Sequence, residues 1–379
     1  MKINILSKNQ LIFEDERYIS FPNLCKGINN EIICTYRKAS KFSFEAAKND
    51  LATHHDPNSS IHLATLNIGK DNNCSVIKNI KVYDSQFGVN DPSITLLKNN
   101  TYLIRFVALD IFKTKEYKHN KNKKIFSHRA EHGLVTNVLG QMIMKSSNLD
   151  DWEELCIVND INFGPSCGRD PILELEDGSL IMPGYIGAPS RSDISLLHRS
   201  FDNGVNWDFT SIIAIDKEGE YSQMHGINFN ETNIINCGNG HLIAAIRGDT
   251  TFYTSGKTFM PVGGVGKIYI SHSHDGGLCW SKPYDSGLFG QPAQLNLLSN
   301  GNIIITYGFR KKPYGVKVSI SNDFCRSWEE PQTVSREFEI WDCGYPSTLE
   351  VGKNKFLTVY YGADESLRRG LEYSYWELI

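Results

Sequence analysis

The sequence lacks several features, and each lack excludes a class of protein. No apolar run approaches the roughly 20 residues of a bilayer-spanning helix, so no membrane partner is expected. The opening MKINILSKNQ turns polar at once. A secretory leader needs an apolar core of about 7–15 residues, so a cytoplasmic location is the expectation. Neither sign of charge dominates: 39 Lys+Arg face 43 Asp+Glu, for a formal net charge of -4. Without a broad basic surface, nucleic acid is not an expected partner. The nine cysteines include no Cys-x-x-Cys pair, whereas zinc ribbons and disulfide frameworks need patterned spacing. Small buried thiols in a reducing compartment are the plain reading. Histidines are dispersed, PVGGVGK lacks phosphate-loop spacing, and no G-x-S-x-G elbow occurs. Neither a metal nor a cofactor is therefore expected. Helical periodicity is nearly missing; FEAAKND at 44–50 is at most a short loop helix.

What the chain does have is β-rich and repetitive. Aromatic and β-branched residues are spread throughout, which excludes disorder. Six times an Asn or Asp turn is followed by an apolar β run. These are NNEIICTYR from Asn29, NNTYLIRFV from Asn99, EDGSLIMPGY around Asp177, GNGHLIAAIR around Asn239, SNGNIIITYGFR around Asn300 and GKNKFLTVYY around Asn354. Such turns between apolar strands signal hairpins, because their central residues need positive φ. Successive turns lie 70, 78, 62, 61 and 54 residues apart, room for one four-stranded unit each. A second motif, Ser-x-Asp-x-x-x-x-Trp, alternates with the first: SFDNGVNW (200–207), SHDGGLCW (273–280) and SNDFCRSW (321–328). SSNLDDW ending at Trp152 is a weaker copy, ATLNIGKDNN near Leu66 a degenerate one, and Trp376 is expected to close the last unit in the same place. In each box the Asp caps loop amides and the Trp packs back on the next strand.

This alternation resembles the Asp-box (BNR) repeats of the sialidase superfamily and covers roughly Leu11 to Leu378. The resemblance implies an all-β fold: a six-bladed β-propeller of four-stranded antiparallel blades, with residues 1–379 as one domain. In that family the boxes lie on the outer rim, so Asp202, Asp275 and Asp323 are structural and chemistry belongs at the axis. The Lys-rich stretch KTKEYKHNKNK (113–123) reads as a solvated loop.

Parity supplies axis candidates independently. Arg37, Arg105, Arg247 and Arg310 stand eight, six, eight and ten residues after their turn residues. Even offsets put them on one strand face unless a bulge intervenes. Buried Arg needs an anion or an ion pair, and guanidinium forks suit a carboxylate. A carboxylate-bearing sugar or glycan is thus the expected partner.

The resemblance then assigns roles. NETNIINCGNGHLIAAIR looks like the segment carrying a Glu base and a triad Arg, giving Glu231 and Arg247. YGFRKKPYGVKVSIS gives Arg310, and DCGYPSTLEV gives Tyr345 as nucleophile. The family's first triad Arg stands in an Arg-Ile-Pro element, but here the stretch is Ser20-Phe21-Pro22. Arg37 and Arg169 (in CGRDPILEL) are the two replacements open to the chain. Asp56 in THHDPNSS, beside His54 and His55, matches the family's acid/base; Asp91 and Asp170 recur as Asp-Pro at strand starts. The implied activity is a retaining exo-glycosidase releasing a terminal sialic or nonulosonic acid. A hydrolase of another 2-keto sugar acid, such as 3-deoxy-octulosonate, and a non-catalytic glycan- or protein-binding propeller are the alternatives.

Overall fold

The computed structural model describes residues 2–41, 43, 45, 56–113, 134–160, 164–188, 191–216, 226–250, 252–254, 257–259 and 266–379. All but Glu45 of the expected loop helix at 44–50, His54, His55 and nearly all of the Lys-rich stretch lie outside them. The fold is all-β. Among the described residues, the strands group into antiparallel units by their pairing. The first unit is Tyr18–Lys26, Ile32–Ala39, Ser60–Ile68 and Cys74–Asp84. The second is Val89–Leu96, Tyr102–Lys113, Leu134–Ser146 and Glu153–Asp160, with Gly164–Pro165 added at its edge. Leu173–Glu174, Leu180–Ala188, Arg191–Ser200 and Asp208–Ala214 form the third. Ile227–Asn236, Leu242–Thr250, Lys267–Ser273 and Tyr284–Phe289 form the fourth. The fifth is Ala293–Leu297, Ile303–Phe309, Gly315–Ser321 and Gln332–Thr333. The last combines Gly344–Gly352, Lys355–Ala363 and Arg369–Leu378 with Ile3–Ile12 from the other end of the chain.

Each of the six turns joins the first two strands of its unit. Their central residues have the positive φ the sequence required: Asn30 62°, Asn100 65°, Gly178 81°, Asn239 54°, Gly301 86° and Asn354 58°. The boxes join the third and fourth strands and share one hydrogen-bond pattern. Ser200, Ser273 and Ser321 Oγ each accept the amide four residues on, at 2.9, 2.8 and 2.9 Å. Asp202, Asp275 and Asp323 each accept the amide four residues on, at 2.9, 2.9 and 3.0 Å. Where two boxes have Gly204 and Gly277 at positive φ, the third bends through Cys325 at 67°. Trp376 departs from expectation. It lies within the third strand of the last unit, fully buried, stacked on Phe356 and donating to Thr358 Oγ1. The last unit has no box loop, because its fourth strand comes from the N-terminal segment.

Most of the core is shared between units, though Ile186, Ile194 and Leu196 cluster within the third. Ile33, Ile61 and Leu63 pack with Ile94, Ile104 and Phe106. Comparable clusters join each unit to the next, and Tyr345, Tyr361 and Tyr373 of the last pack with Ile19, Tyr36 and Ala64 of the first. Polar contacts between the first strands follow the same circuit. Asn23 accepts from Ile94 N (3.0 Å), Thr95 donates to Ile172 O (2.7 Å), and Asn233 donates to Asp170 (3.1 Å). Leu295 N donates to Asn233 (2.8 Å), Gln294 donates to Ser347 (3.3 Å), and Leu24 N donates to Ser347 (2.9 Å). These bonds satisfy strand groups that would otherwise be buried without partners.

Candidate active site

The first strands carry a repeated irregularity that shapes the site. Their registers against the second strands shift between Ser20 and Asn23, Asn90 and Ser93, Phe229 and Thr232, and Gly344 and Ser347. A bulge of this kind bends a strand and re-aims side chains. In three of the four it is an X-Pro step whose first residue has positive φ: Phe21 56°, Asp91 50° and Tyr345 48°. Residues before proline favour extended backbone, so such a conformation persists only where its surroundings enforce it. At Tyr345 the enforcement is visible. A Cβ on Gly344 would stand 2.8 Å from the Gly308 Cα, so only glycine allows the approach.

Tyr345 is 3% and Glu231 6% exposed, and the Tyr345 hydroxyl donates to Glu231 Oε1 at 2.5 Å. Arg247 Nη1 donates to Glu231 Oε2 at 2.6 Å and reaches the Tyr345 oxygen at 3.4 Å. Its Nε donates to Asp249 at 2.7 Å. Two more guanidiniums lie over the Tyr345 ring, Arg169 at 5.1 Å and Arg310 at 5.4 Å from its centroid. Arg310 also donates to the Cys343 carbonyl at 3.1 and 3.2 Å. Arg169 donates to the Pro346 carbonyl at 3.3 Å, while its Nη1 is buried without a hydrogen bond.

The electrostatics separate the two partners. Burial raises the Glu231 carboxyl, but the Arg247 charge, bonds from Tyr345 and Arg247, and the Arg169 charge outweigh it and hold the group below its usual range. Burial, then the Glu231 charge, pushes the Tyr345 phenol well above its ordinary value, while Arg247 and Arg310 pull against them. At neutral pH this is a protonated phenol on an ionised carboxylate.

The structure therefore gathers Tyr345, Glu231, Arg247, Arg310 and Arg169. Arg105 is spent on the fold: it donates to the Asp170 carbonyl at 2.7 Å and to Gln141 at 2.5 Å. Arg37 is fully buried, donates to Val89 O at 2.9 Å and feels Asp56 as its strongest charged neighbour. Asp56, expected as the acid/base, is engaged by loop donors and by the Arg37 charge. Its carboxylate accepts from Ser40 N (2.9 Å), Ser40 Oγ (2.7 Å), Ser43 N (3.4 Å) and Asn58 N (2.9 Å). Burial raises it, but Arg37 and these donors hold it below the usual range, so it is an ionised loop clamp. Asp91, read from the sequence as an Asp-Pro strand start, occupies a recurring place in the units. Phe21, Asp91 and Glu231 each stand eight residues before their unit's turn residue, and Tyr345 nine. Among the described residues, no cluster of His, Cys, Asp and Glu could hold a metal. No described helix is long and apolar enough to cross a membrane.

A BNR repeat-like domain is matched over residues 141–358. No curated protein sequence matches the chain. A crystal structure of a Dyadobacter fermentans protein of unknown function is similar over 100% of this chain and 99% of that one, at 20% identity and TM-score 0.82. A NanB sialidase variant from Streptococcus pneumoniae is similar over 97% of this chain and 70% of its own, at 12% identity and TM-score 0.64. The α-L-arabinanase of Penicillium chrysogenum complexed with arabinobiose is similar over 98% of both chains, at 11% identity and TM-score 0.61. At these identities the likenesses speak to the fold, while the domain match spans more than half the chain: this protein belongs to the BNR repeat-like family.

Proposed function

We propose that the chain is a six-bladed propeller over residues 1–379 and a retaining exo-glycosidase that releases a terminal 2-keto sugar acid, a sialic or related nonulosonic acid first. The observation that carries the reading is the 2.5 Å bond from the Tyr345 hydroxyl to Glu231 beneath three guanidiniums. A carboxylate on the anomeric carbon would repel a carboxylate nucleophile, whereas a neutral phenol is not repelled, and glycosidases with a Tyr nucleophile are known. The Tyr345 oxygen attacks the anomeric carbon as its proton passes to Glu231, the glycosidic C–O bond breaks with its electron pair on the departing oxygen, and an aryl glycoside with the enzyme forms. Because the phenol is held neutral, bond formation and proton transfer proceed together. Arg247 and Arg310, with Arg169 as third fork in place of the missing Arg-Ile-Pro arginine, bind the substrate carboxylate.

Ser20 at the place of that arginine supports a second sugar for the same site, 3-deoxy-octulosonate, which bears the same carboxylate on a different frame. Release should be assayed from aryl α-glycosides of both sugars. Tyr345→Phe and Glu231→Gln are each expected to lower kcat by at least ~10²-fold while leaving the fold intact. Hydrolysis unchanged in both variants would remove the mechanism.

A further inference from the structure

The four bulged first strands bring four side chains toward one region, and the proposed chemistry uses only two of them. Phe21 is closed off at 2% exposure, with its ring 4.8 Å from that of Tyr345. The fourth is Asp91, half-buried and at φ 50° ahead of a proline, as Tyr345 is at 48°. Its Oδ1 is buried and makes no hydrogen bond. A buried polar atom without a partner is costly, and a strained backbone adds to the cost. Both fall on a carboxyl to which the chemistry above gives no part.

We propose that Asp91 is the proton donor to the leaving group, the part that sequence likeness assigns to Asp56. This rests on the glycosidase reading above. In the first step the Asp91 proton passes to the glycosidic oxygen, the bond from that oxygen to the anomeric carbon breaks, and its electron pair stays on the departing oxygen. In the second step Asp91, now a carboxylate, takes a proton from the attacking water. The bond from the Tyr345 oxygen to the sugar breaks, and the phenol recovers its proton from Glu231. Atoms and charges balance without a co-reactant.

The surroundings suit the role. Burial, then the Glu231 charge, raises the Asp91 carboxyl to about 7, against lowering by Arg169, Arg105 and Arg37. Tyr345, Tyr185 and Cys167 complete the titratable groups that face it. One carboxyl protonated near neutrality beside another held ionised is the division of labour that acid–base catalysis needs. Asp56 is held below the usual carboxylate range by Arg37 and its loop donors against the effect of burial, which leaves it without a proton to give near neutrality.

Asp91→Asn tests this on two substrates with the same sugar acid, one with a 4-nitrophenyl leaving group and one linked to galactose. A poor leaving group needs the proton and a good one does not. The variant is expected to lose at least ~10²-fold in kcat/KM on the galactose-linked substrate and under ~10-fold on the aryl one. Its profile of kcat/KM against pH should also lack the wild-type fall above about 7. A parallel loss on both substrates, or a fall that persists, overturns the proposal. So does a leaving-group-selective loss in Asp56→Asn. Failure of the underlying reading looks different: Tyr345→Phe would then match the wild type on every substrate.

A turnover-free measurement decides the matter even if the sugar is misassigned. Folded Asp91 binds a proton between the free-carboxyl value of 3.8 and about 7, and the unfolded residue does not. Wild-type stability therefore falls as pH rises through that window. Asparagine stays neutral, so Tm of Asp91→Asn minus Tm of the wild type should grow from pH 4 to pH 8. A difference that is flat with pH would show an ordinary surface carboxylate and end the proposal.

Discussion

Three arginines crowd one phenol, and they are not equivalent. Arg247 spends both ends of its fork on Glu231 and Asp249. Arg310 leans on a carbonyl. Arg169 alone of the three keeps a buried nitrogen without a hydrogen bond, Nη1, which stands 3.7 Å from Asp170 Oδ1. Exchanging Arg169 for Lys replaces a planar fork by a point charge. KM for the acid substrate is expected to rise ~10-fold with kcat changed less, and a primary-amide analogue of the substrate should not feel the exchange. Equal effects on acid and amide would show that Arg169 merely shapes the ring stack over Tyr345. Much of this constellation was legible in the sequence. Glu231, Arg247, Arg310 and Tyr345 could be placed by motif, because each lies a short, fixed distance from a turn. Choosing between Arg37 and Arg169 needed the fold. Parity marks Arg37, and the CGRDPILEL segment offers Arg169, but only the structure shows that Arg37 is met by the Val89 carbonyl and Asp56 while Arg169 lies over Tyr345.

At the scale of elements, turns and boxes announce themselves because their bonds are local. A box closes on itself within eight residues, so spacing alone reveals it. The same locality predicts a clean separation of stability from chemistry. Asp323 is held at about 2, since bonds from Ser327, Ser321 and the Arg326 amide outweigh desolvation. Asp323→Ala removes the acceptor for Ser321 Oγ and for the Ser327 amide. At a net ~1 kcal/mol per bond, Tm should fall by a few degrees with kcat/KM unchanged. Thermal unfolding and steady-state kinetics on the same preparation check both halves. A kinetic defect without a stability loss would place the box in the site after all. The Trp376 expectation failed for the complementary reason. Its position depends on which strand completes the last unit, and no local spacing encodes that.

For the whole molecule, the strand that no sequence pattern disclosed governs closure. Ile3–Ile12 runs antiparallel to Arg369–Leu378, pairing Ile3 with Leu378 and Ile12 with Leu371. A single parallel pair, Tyr18 with Arg369, joins the last unit to the first. The first and last strands therefore share one sheet. The apolar contribution is modest, since Ile12 is buried while Leu6 and Leu11 are only partly so. The hydrogen-bond ladder matters more, because removing it exposes a ten-residue strand edge. Unpaired edges recruit other chains. Deleting residues 2–12 is expected to lower Tm and to raise concentration-dependent association above that of the parent, read by size-exclusion chromatography. Because Tyr345 and Tyr361 share a core cluster with Ile12, activity should fall in step with the folded fraction rather than independently of it. A monomeric, fully active deletion variant with the parent Tm would mean that the first unit and the last hold each other without the strand, and that the N-terminal pairing is dispensable to the fold.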